Sequence, residues 1–359
     1  MKKMLSLAAM FAVLAYASPA SAEIKFSGDA SLRLRGQFED ESGPGFDDSE
    51  DDLNFAYRVR LKAAADLGSG YFFKAMLTND NFAGGWTTVS QNNTEDYNIE
   101  VSNFYFGRMM ENSHYMMGRL PLNSVNNPIF DLALYPFSPV DIPVATYNMD
   151  RIYGLNYGTK IGPGELNTTL IVLDNDVTDN TEGIEGDGIF NDGYAVHLSY
   201  KANIGDVTVE PQAIVVLTDA DGSDYSNISS NTFGVNVGVP AGDAKLTLSG
   251  FYTICDDTNP NTDVHVDYDG YLLRLKGEVG PFMAWVDYNQ TDNNTAGDEG
   301  DYENLFVWAQ YNYKVYESAM GSFSLTPTVR YWAAGFEEDG GFEADYSRLR
   351  TELIATVTF

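Results

Sequence analysis

The feature that most restricts how this chain can fold is an apolar/polar alternation with a period of two, repeated along almost its whole length. In residues 24–38 one face carries Ile24, Phe26, Ala30, Leu32, Leu34 and Phe38. The other carries Lys25, Ser27, Asp29, Ser31, Arg33, Arg35 and Gln37. Residues 53–65 repeat the pattern, with Leu53, Phe55, Tyr57, Val59 and Leu61 on one side and Asn54, Arg58, Arg60 and Lys62 on the other. Such segments are β-strands with one oily and one wet face. After residue 22 no apolar run reaches the length of a spanning helix, so a helical membrane protein is excluded.

Read in the same way, the chain divides into sixteen candidate strands: 24–38, 53–65, 71–79, 98–109, 114–120, 151–160, 165–173, 192–202, 207–218, 231–239, 243–254, 268–279, 282–290, 302–315, 322–334 and 345–359. The connections strictly alternate between short turns and long loops. The longest is 121–150, the third long loop. One-sided strands suit either a soluble sandwich or a membrane barrel. The even count, the turn/loop asymmetry and strands long enough to cross a bilayer at a tilt favour an all-β, transmembrane antiparallel barrel of about 16 strands. Tyr and Phe near strand ends (Tyr71, Phe72 and Phe73; Tyr311, Tyr313 and Tyr316) predict aromatic girdles.

Composition narrows the function. The 52 Asp and Glu outnumber 21 Lys and Arg, a net charge of −31, so nucleic acid is excluded as a partner. One Cys and three His leave no disulfide framework and no Cys-rich zinc site. Residues 1–22 open with Lys2 and Lys3, continue with an apolar stretch and end on Ala20-Ser21-Ala22, the pattern of a cleaved secretory signal peptide. The expected mature chain is 23–359. It ends with Leu353, Ala355, Val357 and Phe359 on one face, and a terminal Phe on an alternating strand resembles an assembly signal of outer-membrane barrels.

With these features together, the mature chain resembles a Gram-negative outer-membrane porin, specifically the 16-stranded general diffusion porins. The resemblance implies an outer-membrane location, contact with membrane lipid, a homotrimer, and a water-filled channel for passive diffusion of ions and small hydrophilic solutes. It also implies that the third loop folds into the lumen and narrows it. The loop here carries five prolines and the acids Asp131, Asp141 and Asp150, without the family's usual acidic-glycine signature. By the same analogy a basic wall of Arg33, Arg35, Arg58, Arg60, Lys62, Lys74, Arg108 and Arg119 is expected to face Asp131 and Asp141 across the constriction.

A Lys or Arg facing lipid costs roughly 2–4 kcal/mol near the midplane, so strand bases should point inward. Acids concentrate in the long connections, eight of them in 39–52 and six in 174–191. A divalent cation at these acidic loops is one reading and a solvated acidic mouth is the other. No resident cofactor and no catalytic role are expected: His265 beside Asp263 and Asp267 sits in an Asp-rich stretch where such adjacency arises by chance. Two alternatives to a general pore stay open, a substrate-selective barrel for anionic or sugar substrates and a non-channel surface barrel.

Overall fold

A computed structural model describes residues 23–79, 85–89, 99–121, 127–130, 151–174, 193–218, 230–258, 265–297, 299–338 and 341–359. The predicted signal peptide, Asp131, Asp141 and loop residues 175–192 lie outside the described residues. The strands are β1 Glu23–Gly43, β2 Phe46–Gly68, β3 Tyr71–Thr78, β4 Glu100–Met109, β5 Ser113–Pro121, β6 Arg151–Ile161, β7 Gly164–Asp174 and β8 Gly193–Ile204. They continue as β9 Val207–Thr218, β10 Asn231–Ala241, β11 Ala244–Thr258, β12 His265–Val279 and β13 Phe282–Asn293. The fourteenth, β14, comprises Gly300–Tyr311 and Tyr313–Ser318, interrupted at Asn312, and both halves pair with β15, Gly321–Glu338. Last is β16, Glu343–Thr358. A two-residue segment, Thr87–Thr88, pairs with β2 beyond the end of β3.

Each strand pairs antiparallel with its neighbours in sequence, and β16 returns to pair with β1, so the sheet closes on itself as a sixteen-stranded barrel. Closure removes the two open edges that a flat sheet would leave unpaired. At the seam Gly28 N–H donates to Phe359 O at 2.8 Å and Phe359 N–H donates to Gly28 O at 3.1 Å, so the terminal residue is knitted into the first strand. A Cβ on Gly28 would lie 2.5 Å from Arg60 O and 2.8 Å from the Phe359 ring, which explains glycine there. Several short turns place Gly first with positive φ: Gly162, Gly205, Gly242 and Gly280, at 53–63°. This is the conformation of a two-residue hairpin turn whose twist matches its strands.

Burial runs opposite to that of a water-soluble protein. Leu32, Leu53 and Leu248 are each more than half exposed on the outer face, while Ser102, Arg274 and Asp287 are almost fully buried inside. Such a surface is stable where hydrocarbon replaces water outside and the wet face looks into a lumen. Around the short-turn end the outer face carries exposed Phe26, Tyr71, Phe282, Tyr311, Tyr313 and Tyr316. These form the expected girdle, except that Phe72 turns inward against Tyr105.

The acidic stretch 39–52 departs from expectation. It is not an open loop: β1 and β2 run on as a paired ribbon to a two-residue turn at Pro44-Gly45. Glu39 lies opposite Glu50 and Glu41 opposite Asp48 in the ladder. Alternation fails there because a ribbon that has left the bilayer and meets water on both sides has no face to keep apolar.

Candidate pore lining

The register decides which bases reach the lumen. On β1 and β2, Arg33, Arg35, Arg58, Arg60 and Lys62 share the inward parity of Asp29 and Ser31, and Lys74 on β3 lies opposite inward-facing Tyr105. Barrel closure brings β15 and β16 beside them. Glu352, with a side chain fully buried, is approached by Arg35 at 2.6 Å, Arg330 at 2.9 Å and Arg33 at 3.6 Å. Arg350 donates to Gln37 on the same wall. Arg33, Arg35 and Arg330 thus surround a single carboxylate, with Arg350 and Arg58 on the same inner wall. The Nε atoms of Arg33 and Arg330 are buried without a hydrogen-bond acceptor among the described residues. Next to this group Asp29 takes Arg60 at 2.9 Å and Lys62 at 3.9 Å, and Glu39 takes Arg348 at 3.8 Å.

Two of the eight predicted wall residues do not belong there. Arg108 and Arg119 lie on the outer face. Arg119 is opposite exposed Phe104 and Tyr153, with its guanidinium 5.3 Å from the Tyr153 ring and donating to Val101 O. Arg108 is opposite Tyr71 and Tyr115, 4.7 Å above the Tyr71 ring, and donates to Ser69 O. The physical reason is that Phe104, Phe106 and Met117 face outward and fix the parity of β4 and β5, while aromatic faces and backbone carbonyls take the two charges. The wall instead gains Arg330 and Arg350. Their inward parity is visible in sequence, but their proximity to Arg33 and Arg35 exists only after the seam closes.

All four tryptophans stack on guanidinium groups of the inner wall. Trp86, from the second long loop, lies between Arg33 at 4.5 Å and Arg58 at 4.6 Å. Arg330 sits 3.5 Å over Trp308, Arg274 lies 5.2 Å from Trp285 and Arg348 lies 4.8 Å from Trp332. Trp285 and Trp308 stack on each other at 4.7 Å. An indole face holds a guanidinium plane in place and leaves its edge free to donate.

A described part of the third loop, residues 127–130, lies inside the barrel. It contains a 3₁₀ turn at Pro128–Phe130. Asn127 exchanges hydrogen bonds with Gln212 at 2.8 and 3.0 Å and accepts one from Asn236 at 3.2 Å, reaching the inward faces of β9 and β10. His197 donates to the same Gln212 at 2.8 Å. Ile129 is fully buried in an apolar patch of the lumen with Ile171, Ile214, Phe251 and Leu272. That patch seats the loop, which accounts for apolar residues on an otherwise wet face.

Among the described residues no group of three or more His, Cys, Asp or Glu is arranged to hold a metal ion. His265 lies on an exposed hairpin, 3.4 Å from Asp256 and 3.3 Å from Thr258.

A closed barrel with an oily exterior, a charged lumen and residues 127–130 of its third loop seated inside is an outer-membrane channel. The sequence matches the Gram-negative porin family over residues 7–321, and the chain belongs to that family. It is an outer-membrane protein that lets small solutes diffuse through its lumen. A comparison with curated protein sequences returned no match. Among solved structures it is similar to the outer-membrane channel DcaP of Acinetobacter baumannii, with a TM-score of 0.55 at 14% identity, over 95% of this chain and 99% of that one. It is similar to the anion-selective porin of Comamonas acidovorans, with a TM-score of 0.54 at 13% identity, over 94% and 100% of the two chains. The trimer form of OmpT, an outer-membrane protein of Vibrio cholerae, matches with a TM-score of 0.51 at 12% identity, over 92% and 99%. At these identities the likeness concerns the fold.

Proposed function

We propose that this porin is an anion-preferring diffusion channel. The observation that carries the reading is the wall of five arginines, three of which share one glutamate. The chain as a whole is strongly acidic, but distance decides which charge an ion feels inside. The acids of the ribbon begin near the wall, with Asp52 opposite Gln37 two residues beyond Arg35, and extend to Asp47 opposite Ser42, seven residues or roughly 20 Å beyond it. The outermost acids are about two Debye lengths away at 0.1 M salt and largely screened, while at the wall itself the bases outnumber the acids Glu352, Asp29 and Glu39. The acids of the mouth then set the approach of ions, and the arginines set passage. The similarity in fold to the anion-selective porin of Comamonas acidovorans is consistent with this reading.

The test is the reversal potential of purified protein in planar bilayers across a potassium chloride gradient. A potential of the sign expected for chloride permeation supports the proposal, and a cation-type potential refutes it.

We also propose a homotrimer. Arg119 on the outer face of β5 would be costly against lipid tails, and a subunit contact removes that cost. The OmpT trimer offers a precedent for the fold. Crosslinking through Arg119→Cys should yield covalent subunit pairs. Monomeric protein throughout detergent extraction and sedimentation would refute the assembly.

A further inference from the structure

A second basic site lies on the far wall, away from the arginine cluster. Beneath Pro128, in the half of the lumen nearer the short turns, β8–β12 enclose a recess of about 110 Å³. Its lining includes Lys201, Glu210, Asn236, Lys245, Ser249 and Lys276. With a liquid water molecule occupying about 30 Å³, the recess has room for three or four waters or one small tetrahedral anion.

Two buried polar atoms of this lining are unsatisfied among the described residues. Ser249 Oγ, on a residue only 1% exposed, has no hydrogen-bond partner. Asn236 Oδ1 has none either, while its Nδ2 is engaged by Asn127 and lies 3.5 Å from Glu210. A buried polar group without a partner is costly, and an unexplained one marks a place where a ligand or water belongs. Lys276 is 97% buried and makes a 3.3 Å ion pair with the more exposed Glu278, and Lys245 lies opposite Glu278 in the ladder. Arg274, which also lines the recess, is held by Asp287 through two 2.6 Å hydrogen bonds, so its geometry is fixed.

We propose that this recess binds inorganic hydrogen phosphate, with Lys245 and Lys276 supplying charge, Ser249 Oγ donating a hydrogen bond, and Glu210 or Asn236 Oδ1 accepting the proton that the anion still carries. The acceptors make the choice of anion specific. A fully deprotonated tetrahedral anion such as sulfate brings only oxygen lone pairs, which the Glu210 carboxylate repels. Hydrogen phosphate presents one O–H to the same carboxylate. Pro128 lines the recess with these side chains, and a volume of about 110 Å³ matches an anion of the size of inorganic phosphate. The site is independent of the ion preference proposed above, because it uses a different wall and different side chains.

The test uses the full-length protein in detergent, with phosphate and sulfate binding measured by calorimetry and, in parallel, block of chloride current in planar bilayers. Phosphate should bind saturably and at least about tenfold more tightly than sulfate. Ser249→Ala should weaken phosphate about tenfold, the loss expected for one hydrogen bond to a charged group. Lys245→Met should weaken it further. Glu210→Gln should improve sulfate relative to phosphate, a change that general destabilisation of the barrel does not produce. Equal binding of the two anions by the native protein would overturn the proposal. So would phosphate binding unchanged in Ser249→Ala and Lys245→Met, or a phosphate/sulfate ratio unmoved by Glu210→Gln. Calorimetry reads the site even if the pore proves to prefer cations.

Discussion

Replacing Arg58 with Gln tests the link from wall charge to ion passage. Arg58 lies in the cluster and stacks on Trp86, but it is not one of the three arginines whose charged groups approach Glu352 within 4 Å. An ion passing at ~6 Å through water of dielectric constant about 80 gains or loses about 0.7 kcal/mol from one unit charge. Screening at 0.1 M, where the Debye length is about 10 Å, leaves about 0.4 kcal/mol. That is a factor of about two for chloride and the inverse for potassium, so the anion/cation permeability ratio should fall about fourfold. At 1 M salt the Debye length is about 3 Å and the change should shrink to less than about 1.5-fold. The assay is the reversal potential in bilayers at both salt levels, with Arg33→Gln as a parallel variant. A ratio that does not move at 0.1 M, or that moves equally at both salt levels, would refute the electrostatic reasoning.

Other expectations follow from the same geometry. Arg108→Leu and Arg119→Leu should leave the permeability ratio unchanged in that assay, since both side chains lie on the outer face. Asp287→Asn removes the partner of Arg274, whose side chain is 1% exposed, and should destabilise the barrel by about 3–5 kcal/mol, read from denaturant unfolding of the refolded protein. Trp86→Ala removes the indole wedged between Arg33 and Arg58 and should raise single-channel conductance while the anion preference persists.

The strands were legible because a period of two leaves no other structure open to segments such as 24–38 and 53–65, and because the Gly-led turns end them cleanly. The inward set Arg33, Arg35, Arg58, Arg60, Lys62 and Lys74 followed from parity alone. Arg108 and Arg119 did not, because β4 carries aromatic residues on both faces: Tyr105 points in while Phe104 and Phe106 point out. A bulge near Met76 and Leu77 also shifts the register with β3. The gathering of Arg330 and Arg350 around Glu352 with Arg33 and Arg35 depends on closure between the first and last strands, about 320 residues apart in sequence, which no local pattern encodes. The seating of Ile129 on a luminal apolar patch was equally hidden, since that patch is assembled from single inward residues of several strands.

The claim beneath all of this is that lipid meets the Val59 and Leu61 side of β2 while water meets the Arg58, Arg60 and Lys62 side. It can be read directly in a Cys255→Ser background, which removes the chain's single native thiol. Single variants Val59→Cys, Arg60→Cys, Leu61→Cys and Lys62→Cys, reconstituted in liposomes, are treated with a membrane-impermeant thiol reagent. Positions 60 and 62 should label and positions 59 and 61 should not, with fluorophores at the latter two quenched by nitroxide lipids. Labelling at 59 and 61 with protection at 60 and 62 would contradict the account.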